Sequence, residues 1–128
     1  MKTMKYSKVA ENESKILQSL DNPYIVKYYD SFRDGNEFNI VMEYAENGDL
    51  RQKIINQSGK PFPEKFVLHT FNGICKGIQY VHDKNILHRD LKPGNIFLQS
   101  GDGVLVGDFG IAKQLKNNSN WHRDFYGT

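Results

Sequence analysis

Between residues 64 and 82 the apolar side chains Val67, Phe71, Ile74, Ile78 and Val81 advance in steps of four, three, four and three. That spacing keeps them on one face of an α-helix, which must then face a core. The flanking segments supply further elements. Residues 7–20 carry Val9, Glu13, Ile16, Leu17 and Leu20 at helical spacing, and Asp21-Asn22-Pro23 ends the run. Residues 24–32 are rich in aromatic and β-branched types and predict a strand. The Asp-Gly signal of Arg33-Asp34-Gly35-Asn36 predicts a turn, with a return strand over 38–43. Residues 46–49 break the pattern as a linker, and Asp49 is placed to cap a short helix running to about Gln57. A loop over 58–63 follows. Beyond residue 82 the chain is loop-rich, with short strand-like pieces at 86–87, 96–98 and 104–106.

Composition narrows the function classes. The 128 residues carry 17 Lys+Arg against 15 Asp+Glu, a net charge of +2, too small to imply nucleic-acid or anionic-membrane binding. One cysteine makes no intramolecular disulfide. The N-terminus has no apolar stretch of a secretory signal, residue 2 is Lys rather than the Gly that myristoylation needs, and no apolar run spans a bilayer. The N-x-S matches at Asn12, Asn56 and Asn117 are read as chance. A soluble, cytoplasmic protein is expected. His69, His82, His122 and Cys75 have no metal-ligand spacing, and Cys75, on the long helix, is expected in or near the core.

The chemistry concentrates in His88-Arg89-Asp90-Leu91-Lys92-Pro93-Gly94-Asn95 and in Asp108-Phe109-Gly110. Two carboxylates and a carboxamide brought together form a hard-oxygen site, suited to Mg²⁺ carrying phosphate. Lys92 adds a positive point charge beside Asp90, useful where negative charge builds on a transferring phosphoryl group. Gly110 is expected to let the backbone turn sharply away from the metal. A bland alternative is a loop of solvated charges. The five fixed residues of the first string match the pattern below by accident with odds on the order of one in 10⁶ per position, before the second string is counted.

These two strings resemble the protein-kinase signature H-R-D-L-x-x-x-N followed by D-F-G. The resemblance implies an α+β, partial two-lobed fold: a truncated antiparallel β lobe with its helix, a hinge, and the first part of a helical lobe. On that pattern residues 1–44 are the remnant of the small lobe, 45–49 the hinge and 50–128 the start of the large lobe through the activation segment. It further implies transfer of the ATP γ-phosphoryl group to protein Ser/Thr hydroxyls with Mg²⁺. Asp90 takes the catalytic carboxylate role, Lys92 the serine/threonine-type lysine, and Asn95 and Asp108 the metal ligands. Met42 falls at the gatekeeper position, the backbones of Glu43 and Ala45 at the adenine edge, and Phe97 beneath the adenine ring. Asp49 matches a residue that reaches the ribose or a basic substrate side chain, or serves as a helix cap alone. Glu13 matches the glutamate that pairs with the small-lobe lysine, and Leu17, Tyr28, His88 and Phe109 an apolar column between lobes. Lys2 is either that phosphate-binding lysine or a solvated terminal one, since its separation from Glu13 is about one helical turn shorter than usual.

Among kinases, Ile25-Val26-Lys27-Tyr28-Tyr29-Asp30-Ser31-Phe32, Gly48-Asp49-Leu50, Asn95-Ile96-Phe97-Leu98 and Gly107-Asp108-Phe109-Gly110-Ile111-Ala112 are similar to the NimA-related (NEK) group, which adds nuclear or cytoskeletal association to the expected addresses. The 128 residues contain no Gly-rich loop and stop at Gly127-Thr128. They are therefore expected to be the centre of a larger domain, with weak or no turnover alone. Asp124 either stands in for an activating phosphate that pairs with basic residues such as Arg89, or is a solvated loop aspartate. Thr128 resembles the threonine that bonds the catalytic Asp and Lys. The alternative function is a non-catalytic kinase-like module that binds nucleotide or a partner. The sequence leaves the protein substrate and oligomeric state open.

Overall fold

The computed structural model describes residues 1–115. It is an α+β arrangement in which a three-stranded antiparallel sheet and its helix precede a second group of helices and short hairpins. The strands β1 (Lys2–Lys5), β2 (Tyr28–Asp34) and β3 (Glu37–Met42) lie in the order β1-β3-β2. The hairpin register pairs Asp34 with Glu37 and Tyr28 with Met42 around the two-residue turn Gly35-Asn36. Strand β1 pairs Lys2 with Ile40 and Lys5 with Glu37.

Helix α1 (Lys8–Gln18) begins where Ser7, in extended backbone, accepts the Ala10 N–H at 3.1 Å. Its buried face is Ala10, Glu13, Ser14, Ile16 and Leu17. Val9, read from the sequence as part of the apolar stripe, is 62% exposed. The sequential step to Ala10 is a turn of about 100°, and Ala10 takes the inward place instead.

Strand β2 starts at Tyr28, later than the expected residue 24, because the backbone of 24–26 is committed elsewhere. Val26 N–H donates to Val106 O at 3.0 Å, Val106 N–H donates to Tyr24 O at 2.8 Å, and Ile25 forms a parallel bridge with Val106. This extended segment ties the first sheet's connection to the hairpin of β5 (Ile96–Leu98) and β6 (Val104–Val106), where Ile96 faces Val106. Helix α2 (Leu50–Asn56) has its expected cap, with Asp49 Oδ1 accepting the Gln52 N–H at 2.9 Å. The short strands β4 (Ile86–Leu87) and β7 (Lys113–Gln114) pair antiparallel.

Helix α3 (Glu64–Asp83) matches its expected extent but presents a different face. Its buried residues are Thr70, Gly73, Gly77 and Val81, while Val67 and Phe71 are exposed. The cause is close approach. A Cβ on Gly73 would sit 3.0 Å from Val104 Cβ, and one on Gly77 would sit 3.0 Å from Tyr24 O and 3.1 Å from Val106 Cγ2. The helix therefore nests against β6 through its glycines, and the apolar residues beside them are turned partly outward. Cys75 is exposed on this helix rather than in the core. The core runs from Leu17 and Ile40 through Ile25 to Val81, Val106 and Phe109, all fully or almost fully buried. Among the described residues no helix is long and apolar enough to cross a membrane.

Candidate active site

The loop between β4 and β5 carries the first motif, and a single buried imidazole orders it. His88 Nδ1 accepts the Asp90 N–H at 3.2 Å, so the ring proton resides on Nε2, which donates to Gly107 O at 2.8 Å. Its ring meets that of Phe109 edge-on, with centroids 4.8 Å apart. His88 thus joins the loop of Asp90 to the loop of Asp108 and is a neutral structural group. Burial holds its pKa below the ordinary imidazole value, against the Gly107 carbonyl and the charges of Asp108 and Asp90, which raise it.

That shift has a measurable sign. The unfolded chain takes up a proton at His88 below about pH 6.5 that the folded chain refuses, so stability falls as pH drops through this range. Between about pH 7 and about pH 5.5 the denaturation midpoint should fall more steeply in the wild type than in His88→Gln, which retains a donor but does not titrate. Equal slopes would show that His88 is not the group responsible. Glu13 acts oppositely: burial raises its pKa, Lys2 lowers it, and Asp108 raises it, for a net rise. Its contribution to stability is present below the ordinary glutamate value and is lost as pH climbs through the folded one.

Asp90 is held from two sides. Asn95 Nδ2 donates to Asp90 O at 2.8 Å and to Oδ2 at 3.1 Å, and Lys92 Nζ lies 3.5 Å from the same Oδ2. Asn95 reaches there because Pro93–Asn95 forms a 3₁₀ turn leading directly into β5. With the amide nitrogen turned to Asp90, Oδ1 is the Asn95 side-chain atom that could serve a cation as donor. Arg89 has φ 66° and donates from Nε to Ile111 O at 2.6 Å, a contact to the segment after the second motif.

The second cluster joins three distant parts of the chain. Lys2 Nζ lies 2.8 and 3.0 Å from the two Glu13 oxygens and 3.3 Å from Asp108 Oδ1. Strand β1 places Lys2 over α1, so the alternative of a solvated terminal lysine does not hold in this structure. Glu13 is only 2% exposed. Burial pulls the Lys2 pKa down, but the hydrogen bond and charge of Glu13, helped by Asp108, outweigh it and leave it raised. The ammonium is therefore fully charged at neutral pH. The turn expected at Gly110 is present at Gly110 and Ile111, closed by the Ala112 N–H donating to Phe109 O at 3.0 Å, while the motif's positive φ, 56°, is two residues earlier at Asp108. Gly110 contributes proximity: its N–H donates to Asp108 Oδ1 at 3.2 Å, and a Cβ there would stand 3.1 Å from that same oxygen.

A cleft of about 290 Å³ opens beside this cluster, lined by Val26, Met42, Glu43, Tyr44, Ala45, Asp49 and Phe97, with Met1 and Gly48. The expected gatekeeper, hinge and floor residues therefore share one cavity. Glu43 N–H already donates to Lys27 O at 2.8 Å, so any edge contact from Glu43 falls to its carbonyl oxygen. Its carboxylate accepts from Gln99 Nε2 at 2.6 Å and from Lys27 N–H at 3.2 Å, which fixes the strand-to-hinge turn. Asp49 caps α2 and also lines the cleft. Val26 was missed in the sequence because its place in the cleft with Phe97 depends on the tie to β6, and no local spacing signals that. Asp124 and Thr128, with Asn117 and His122, lie outside the described residues.

A family described as "Protein kinase domain" matches residues 1–128. Serine/threonine-protein kinase Nek1 of Mus musculus is 41% identical over 119 residues, covering 93% of this chain and 10% of that protein. Nek3 of Mus musculus is 38% identical over 122 residues, covering 95% of this chain and 24% of its own length. A probable serine/threonine-protein kinase, nek3 of Dictyostelium discoideum, is 43% identical over 124 residues, covering 93% and 11%. The chain thus spans a tenth to a quarter of the length of these relatives.

Proposed function

The chain belongs to the protein kinase family, and from that premise we propose that it serves a serine/threonine protein kinase of NEK type. Such a protein transfers the ATP γ-phosphoryl group to a Ser or Thr hydroxyl. The observation that carries the reading is the contact of Lys2 with both Glu13 and Asp108. A charged lysine held between a buried glutamate and a half-exposed aspartate is positioned to receive phosphate oxygens without moving.

The remaining roles follow from the same geometry. The cleft between Val26 and Phe97 takes the apolar faces of the adenine, with the Glu43 carbonyl and Ala45 N–H at its edge. Asp90 holds its Oδ2 toward Lys92 and Asn95, and in the reaction orients the substrate hydroxyl and receives its proton. Lys92 offsets charge on the transferring group. Oxygen donors from Asp108 and Asn95 suit a hard divalent cation that takes one or two carboxylates and completes its shell with phosphate and water. Mg²⁺ bound there would neutralise charge on the phosphates. Catalysis is then mainly positioning and electrostatics. The proposed partners are ATP and a protein substrate, and the proposed address is the cytoplasm.

The test is thermal unfolding of the chain with ATP, with and without Mg²⁺, followed by phosphate transfer to Ser/Thr peptides in the whole protein. Mg²⁺-dependent stabilisation by ATP together with transfer is expected. Stabilisation without transfer would favour the non-catalytic nucleotide-binding module, and no response to ATP at all would overturn the reading.

A further inference from the structure

Gly107, between β6 and Asp108, is buried and has its backbone fixed on both sides. Its N–H donates to Asn95 O at 2.9 Å, and its carbonyl accepts from His88 Nε2 at 2.8 Å. A Cβ at this position would lie 2.6 Å from Phe97 Cε2 and 2.9 Å from Cδ2. Carbon atoms in contact settle at about 3.5–4.0 Å, so one of the two residues would have to move. Retreat of residue 107 breaks the hydrogen bonds to Asn95 and His88. Retreat of the Phe97 backbone breaks its pairing with Leu105 and its bridge to Asp49. The remaining freedom is rotation of the Phe97 ring, and the open space available to it is the cleft it lines with Val26 and Met42.

We infer that Gly107 is a positioning residue for the base pocket: its missing side chain lets the Phe97 ring lie low, and positions 97 and 107 act as a coupled pair that sets the pocket's depth. A side chain at 107 tilts the ring into the space a purine would occupy. The ligand half of this inference rests on the adenine reading of the cleft, whereas the steric coupling does not.

The experiment uses Gly107→Ala, Phe97→Val and the double variant, because valine removes both ring atoms that the added Cβ would meet. Adenosine, and ATP with Mg²⁺, are titrated into each, and thermal unfolding is recorded without ligand. Gly107→Ala should weaken adenosine binding at least about tenfold, and in transfer assays should raise the KM for ATP more than it lowers kcat. The double variant should bind within about threefold of Phe97→Val, and the loss of Tm caused by Gly107→Ala should largely vanish in that background. Wild-type binding by Gly107→Ala, or an equal Tm loss in both backgrounds, would overturn the coupling. If the wild type binds no adenosine, the nucleotide reading fails, and the Tm comparison alone still decides whether the two residues are coupled.

Discussion

Asp90→Asn should lower kcat for phosphate transfer to a Ser/Thr peptide by about 10²–10⁴-fold, the range for loss of a positioned proton acceptor. The KM for ATP should stay within about twofold, because Asp90 is outside the base cleft and outside the Lys2 cluster. The substitution preserves size, and the hydrogen bond from Asn95 Nδ2 to the Asp90 backbone oxygen at 2.8 Å is unaffected by it. What it removes is the charge facing Lys92 and the capacity to accept a proton. An effect on kcat below about tenfold would mean that Asp90 orients little and accepts nothing, and the proton would have to leave by another route. A matching rise in KM would instead indicate that the loop had collapsed.

The second large effect is on folding. Phe109→Ala should cost about 3–5 kcal/mol, the range for emptying a fully buried aromatic site. Phe109 is fully buried, and its ring packs on His88, which holds the loops of Asp90 and Asp108 together. Total stability of a domain is only about 5–15 kcal/mol, so the variant should melt more than about 10 °C lower or lose a cooperative transition. Phe71→Ala is the control. That ring is 65% exposed on α3, and its removal should cost less than about 1 kcal/mol. A Phe109 cost under about 1.5 kcal/mol would show that the site collapses without consequence and that His88 alone aligns the two loops.

Much of the fold and most of the candidate site were legible in the sequence, for different physical reasons. Element boundaries were readable where local chemistry decides them: Asp49 as a cap, the turn before Glu37, and the extent of α3. The motif residues were readable because their types and spacing are tied to the chemistry. The misreadings arise where contact between distant segments decides. An apolar count along α3 cannot register that Gly73 and Gly77 make the approach, so it pointed Phe71 inward and placed Cys75 near the core. Residues 24–27 have strand composition, yet Val106 claims the backbone of Tyr24 and Val26. The place of Lys2 stayed open because 106 residues separate it from Asp108, and only the strand pairing of β1 with β3 resolves it. At Gly110 the turn falls where the motif puts it, but the positive φ two residues earlier, at Asp108, was not read because nothing in the composition marks it.

The backbone tie between Val26 and Val106 has a consequence for synthesis of the chain. A ribosome delivers about 5–20 residues per second, so Val26 waits about 4–16 s after its own emergence before its partner at position 106 exists. During that interval β1, α1 and the β2–β3 hairpin can form from local contacts, but Ile25 and Val26 have no β6 to cover them. Helix α3, whose glycines also need β6 and Tyr24, waits as well. Two apolar surfaces are thus exposed together on the nascent chain, and both are covered in the single event that brings β6 into place. Slowing translation just before residue 104 would prolong that exposure, and this is the stage at which chaperone capture or aggregation of the nascent polypeptide should be greatest.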